Sequence, residues 1–85
     1  MFYRLRLVAS TCDKPGIPGL VRAAIEKAGG CVEAIGTDRV GLGGVELTVD
    51  LRMERSHQKL GIIGAVEKLP RVAVMRVIDS WEDLL

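Results

Sequence analysis

FYRLRLVASTCDKPGIPGLVRAAIEKAGG, residues 2–30, changes its hydrophobic period midway, and that change decides the fold. Up to Ala9 the apolar positions alternate: Tyr3, Leu5, Leu7 and Ala9 share one side and Arg4 and Arg6 the other, the period of two of a half-buried strand. From Ile17 the apolar residues recur at three- and four-residue steps through Leu20, Val21, Ala24, Ile25 and Ala28. Arg22, Glu26 and Lys27 take the opposite side, so this segment is an amphipathic helix. Asp13-Lys14-Pro15-Gly16 is the elbow between the two elements. Pro18 falls in the first helical turn, where a missing N–H costs little, and Gly29-Gly30 supplies the left-handed conformation that ends the helix.

Downstream the pattern repeats in outline. Cys31 to Val40 reads as a second strand, less cleanly alternating and interrupted by Gly36, and Gly41-Leu42-Gly43-Gly44 makes a hairpin turn. Val45, Leu47, Val49, Leu51 and Met53 then point one way and Glu46, Thr48, Asp50 and Arg52 the other, so the sheet has one wet face. Ser56 is the expected N-cap of a second helix whose inner stripe is the Lys59 stem, Ile62, Ile63, Val66 and Leu69, and Pro70 stops it. Gly61 and Gly64 weaken that helix, and close packing against the sheet is the expected reason for them. Val72 to Ile78 closes the domain as a last strand.

The order β-α-β-β-α-β predicts an α+β, ferredoxin-like fold: two helices on one face of a four-stranded antiparallel sheet. Right-handed crossovers make the first and third strands central. Residues 1–80 form one domain and 81–85 a C-terminal tail. The segment from Ser80 to Leu85 has helical character and no obvious stop, leaving room for something to follow.

Composition narrows the function. A chain of 85 residues buries roughly 60–65% of the surface it exposes when unfolded, enough for a core and hardly enough for an enclosed active site. Twelve Lys and Arg against eleven Asp and Glu give no large field to attract nucleic acid or an anionic membrane. Phe2 and Tyr3 are too few aromatics for an RNA-binding sheet, and the first loop carries one Cys where metal-transfer domains need two. Cys12 and Cys31 fit neither a disulfide scaffold nor a metal site, which suits a reducing cytoplasm, and no segment resembles a signal peptide or a membrane span. Gly41 to Gly44 is no dinucleotide loop, and the carboxylates Glu33, Asp38, Glu46, Asp50 and Glu54 are dispersed. His57, the only histidine, lies at the start of the second helix, away from Cys12, which reads as a packed strand-end thiol. The expectation is a protein without catalytic residues, metal or cofactor.

The elbow has its own chemistry. A helix's first turn offers free N–H groups to an anion, here those of Ile17 and Gly19, and Gly16 lets backbone approach a ligand without a Cβ in the way. Asp13 either receives a ligand's ammonium or caps the turn.

Asp13-Lys14-Pro15-Gly16-Ile17 followed by Leu20, with Ala28-Gly29-Gly30-Cys31-Val32 behind it, resembles the ACT domain, a small regulatory module of amino-acid metabolism, over nearly the whole chain. The helix from Ile17 to Ala28 and the closing residues 72–79 are also similar to the ACT extension ahead of the catalytic part of some bacterial malic enzymes. The resemblance implies an amino acid or similar small ligand bound where two copies meet, and pairing through the edge formed by the second strand and first helix. It also implies a metabolic enzyme under control. Carried onto this chain, the ligand-binding set is Asp13, Pro15, Gly16, Ile17, Gly19, Cys31 and Val32. Serine-sensing members carry amide side chains where Asp13 and Cys31 stand, which counts against serine, and a thiol such as Cys31 suits core filling better than ligand contact. A ligand-free dimerisation or docking module of the same fold is the alternative reading.

Overall fold

A computed structural model describes residues 2–55 and 57–82. They form β1 (Phe2–Cys12), α1 (Ile17–Lys27), β2 (Cys31–Val40), β3 (Gly44–Met53), α2 (Gln58–Glu67) and β4 (Ala73–Glu82). The four strands make one antiparallel sheet in the order β2-β3-β1-β4, so β1 and β3 are central and β2 and β4 are the edges, as right-handed crossovers require. Register explains the core. Leu5 lies opposite Leu51, Leu7 opposite Val49 and Ala9 opposite Leu47, which puts the inward sets of both central strands on one face. Ile17, Val21 and Ile25 of α1 and Ile62 and Val66 of α2 close over that face and are buried with it. Each such side chain contributes about 1.5–3 kcal/mol by leaving water. Helix α1 lies toward β2, and α2 toward β4, where Lys59 Nζ sits 2.5 Å from Asp79 Oδ2.

The glycine pair after α1 divides its labour. Gly29 has φ of 98°, the left-handed turn that frees the chain from the helix. Gly30 has a different constraint: a Cβ there would stand 2.7 Å from Ile25 Cγ2 and 3.1 Å from Ile62 Cδ1, so its bare backbone lets the helices meet over the core.

Four expectations need correction. Gly61 and Gly64 do not bring α2 close to anything, since a Cβ at either would meet no atom within 4 Å. Cys31 is exposed and fills no core; it precedes the inward Val32 and so points to the other face. Strand β4 does not stop at Ile78, nor do residues 80–82 turn helical: Ser80, Trp81 and Glu82 pair with Arg4, Tyr3 and Phe2. Backbone partners offered by β1 override the local helical propensity. Helix α1 ends at Lys27, with Ala28 as its C-cap. The expected Ser56 cap and residues 83–85 of the expected tail lie outside the described residues.

Candidate site at the elbow between the first strand and first helix

Strand β1 delivers the chain to the elbow with its last inward position, Thr11, already under the first turn of α1. Three backbone hydrogen bonds shape the elbow itself. The Lys14 N–H donates to the Cys12 carbonyl (2.9 Å), the Ile17 N–H to the Lys14 carbonyl (3.2 Å) and the Leu20 N–H to the Gly16 carbonyl (3.1 Å). The Ile17 amide is therefore not the free donor expected of it. Pro18 has none, and among the described residues Gly19 keeps a first-turn N–H with no acceptor. Gly16, the N-cap, has an ordinary φ of −82°, and a Cβ there would enter open space, so no conformational need or local packing demands glycine.

A cavity of about 200 Å³ opens beside the elbow, lined by Thr11, Cys12, Asp13 and Pro15 on one side and by Thr37 and Arg39 of β2 on another, with Ile17 at its base. Asp13 does not cap α1, which has no side-chain cap; its carboxylate instead pairs with the Arg39 guanidinium at 3.1 Å. Both side chains are largely exposed, so the pair contributes at most ~1 kcal/mol. Thr11 is different. It is 9% exposed, and its Oγ1 is buried with no hydrogen-bond partner among the described residues. A buried hydroxyl left in that state costs about 1–3 kcal/mol.

The expected site residues thus divide. Asp13, Pro15 and Ile17 line one cavity; Gly16 and Gly19 stand exposed on the turn above it. Cys31 and Val32 lie at the far end of β2, roughly 25 Å along the strand from Arg39 at 3.3 Å per residue, and the Val32 side chain is buried in the core. Thr11, Thr37 and Arg39 were not expected. Thr11 carried a readable signal, being the one polar residue in the inward series that begins with Tyr3. Arg39 carried none: a bulge between Val32 and Ala34 reverses which residues of β2 face inward, and only after it do Ile35, Thr37 and Arg39 fall on the helix side.

A larger concavity, about 520 Å³, lies on the helix-free face between Arg4, Arg6, Glu33, Asp50 and Ile78. Its charges already satisfy one another. Arg6 Nε and Nη2 both donate to the Asp50 carboxylate, at 2.6 and 3.2 Å, and Arg4 pairs with Glu33 at 3.4 Å. Hydrogen bonding from Arg6 holds the Asp50 carboxyl below its ordinary range; partial burial opposes this, and the charges of Arg6 and Arg4 add to it. The smaller cavity, where one exposed Asp–Arg pair stands beside the first turn of α1, is the better prepared for a ligand. Among the described residues no three His, Cys, Asp or Glu side chains converge as metal ligands would, and no helix is long and apolar enough to cross a membrane.

No family model matches the sequence, and no curated protein matches it. Solved structures do match. A protein of unknown function from Galdieria sulphuraria superposes with a TM-score of 0.78 at 18% identity, over 99% of this chain and 48% of its own. The ACT domain of a GTP pyrophosphokinase from Chlorobium tepidum gives a TM-score of 0.60 at 15% identity, covering 94% of this chain and 97% of that one. The ligand-free regulatory subunit of aspartate kinase from Thermus thermophilus gives 0.60 at 18% identity, over 93% and 50%. The chain spans about half the length of the Galdieria protein and of the Thermus subunit. At these identities the likeness is one of fold, and the fold is that of ACT domains.

Proposed function

We propose that this chain is an ACT-type regulatory domain, non-catalytic, that pairs through the β2 and α1 edge and binds an amino acid or similar small ligand in the elbow cavity at the interface. The observation that carries the reading is the cavity at the N-terminus of α1 that brings Asp13 and Arg39 together beside Thr11, whose buried hydroxyl has no partner among the described residues. The separation of Cys31 and Val32 from the elbow supports the pairing. Two β2 edges related by a two-fold axis run antiparallel, so the start of one strand lies beside the end of the other. Cys31 and Val32 of a second copy then arrive near Thr37 and Arg39 of the first, and the ligand-binding set, divided in one chain, reassembles across two. Leu20, 54% exposed on α1, adds apolar surface to that edge. At the other edge, β4 is interrupted by a bulge and carries the inward-facing Asp79 charge, features that discourage strand addition.

The regulated partner in this reading is a metabolic enzyme. A thermal-shift screen with the twenty amino acids tests the binding claim, and light scattering the pairing. One amino acid at ten times its dissociation constant adds about 1.4 kcal/mol to stability, or roughly 5–10 °C in a domain of this size. The expected mass is twice 9.2 kDa. A flat response to all twenty would instead favour a docking module that binds no ligand.

A further inference from the structure

An α-amino acid must place two opposite charges at once, and the elbow as built has a shortage on one side. The Ile17 amide is spent on the Lys14 carbonyl, Pro18 contributes nothing, and the Gly19 N–H alone is poor provision for a carboxylate. Arg39 lies across the same cavity with a five-donor guanidinium fork, whose Nη2 sits 3.1 Å from Asp13 Oδ2. Resting on the function proposed above, we infer that Arg39 receives the ligand's carboxylate, and that the Asp13–Arg39 pair is a latch which a free α-amino acid opens by exchanging partners: ammonium onto Asp13, carboxylate onto Arg39. The pair is a stand-in for the zwitterion it awaits. In the absence of ligand the two charges satisfy each other, and because both side chains are mostly exposed, opening the latch is cheap. After exchange the four charges alternate in sign around the mouth of the cavity.

Ligand class is set by the exchange. Both termini must be free, since an amino-acid amide leaves Arg39 unmatched and a deaminated acid leaves Asp13 unmatched. The side chain must be small, since the cavity offers about 200 Å³ for the whole molecule. A site that held the carboxylate on backbone amides alone would show the same demand for a free carboxylate but no dependence on Arg39.

The test is calorimetry on the full chain with the amino acid giving the largest shift in the screen of twenty, and with its amide and its deaminated acid. Arg39→Gln should weaken the amino acid at least tenfold and leave its amide unchanged; Arg39→Lys, keeping a charge but losing the fork, should recover part of the loss. Asp13→Asn, by releasing Arg39, should weaken the amino acid yet bind the deaminated acid more tightly than the wild-type chain does. A merely structural role for the pair does not produce that opposite movement. Arg39 is 84% exposed by its side chain, so its variants should fold, with melting temperatures lowered by no more than about 4–8 °C, the shift for losing ~1 kcal/mol. An amino acid that binds the Arg39→Gln and wild-type chains equally would overturn the latch and leave the ligand site standing. Failure of all twenty to bind the wild-type chain would overturn both.

Discussion

Gly61 and Gly64 sit in the interior of α2, at positions where a Cβ would meet no atom within 4 Å and where neither residue needs a positive φ. Glycine in a helix interior costs about 0.8–1.0 kcal/mol relative to alanine, mostly through backbone freedom lost on folding. With nothing nearby to collide with, Gly61→Ala and Gly64→Ala should each return most of that cost. The two stand three residues apart, so their new methyls are near neighbours and the double variant measures any coupling between them as well as their sum. The double variant should gain about 1.5–2 kcal/mol, or roughly 6–16 °C in melting temperature for a domain of this length. Gly30→Ala is the control: its Cβ would clash with Ile25 and Ile62, an overpacking expected to cost about 1–3 kcal/mol. Urea denaturation at one fixed protein concentration measures all three, since the pairing proposed above would make stability depend on concentration. Destabilisation by Gly61→Ala or Gly64→Ala would refute the reasoning and show that α2 lies against a surface outside the single chain.

The side chains around the sheet give two further expected outcomes. Thr11→Val keeps the volume and removes the unpartnered hydroxyl, so without ligand it should stabilise the chain by about 1 kcal/mol, while amino-acid affinity falls by a similar amount; equal signs in the two measurements would contradict Thr11 as a ligand contact. Asp50→Asn should lower the melting temperature at pH 7: because the folded carboxyl titrates below its unfolded value near 3.9, the stabilisation is full above that value and is lost as pH falls through the lowered one. Melting curves of the two chains should converge as pH falls below the lowered value, and a gap constant across the range would show that packing, not the Arg6 pair, is responsible.

What the sequence made legible was whatever a local period can carry. The alternation of β3 named its buried face correctly, and the three- and four-residue steps of α1 found Ile17, Val21 and Ile25, because a pleat and a helix impose those periods on any chain that has a core; Leu20, on the same steps, stands 54% exposed. The elbow was legible as a place, since Asp13, Pro15 and Ile17 do line one cavity. Its chemistry was less so. Whether the Ile17 amide is free depends on one turn hydrogen bond to Lys14, and residue types do not specify that bond. The meeting of Asp13 with Arg39 depends on the bulge at Glu33, which reverses the parity of the remaining strand and brings an arginine to the elbow from 26 positions away. Cys31 failed as a core residue through ordinary strand alternation ahead of that bulge, standing one place before the inward Val32. The empty surroundings of Gly61 and Gly64 are likewise a fact of packing that no spacing rule contains.

The most direct test of an amino-acid site at the elbow is a two-dimensional nitrogen–proton correlation spectrum of the labelled chain, titrated with the amino acid that most raises its melting temperature. The account predicts shifts clustered at Thr11, Asp13, Ile17 and Gly19, at Thr37 and Arg39, and at Cys31 and Val32 from the second copy, with the helix-free face unmoved. Shifts centred instead on Arg4, Arg6, Asp50 and Ile78 would contradict it, placing the ligand in the larger concavity on the other side of the sheet.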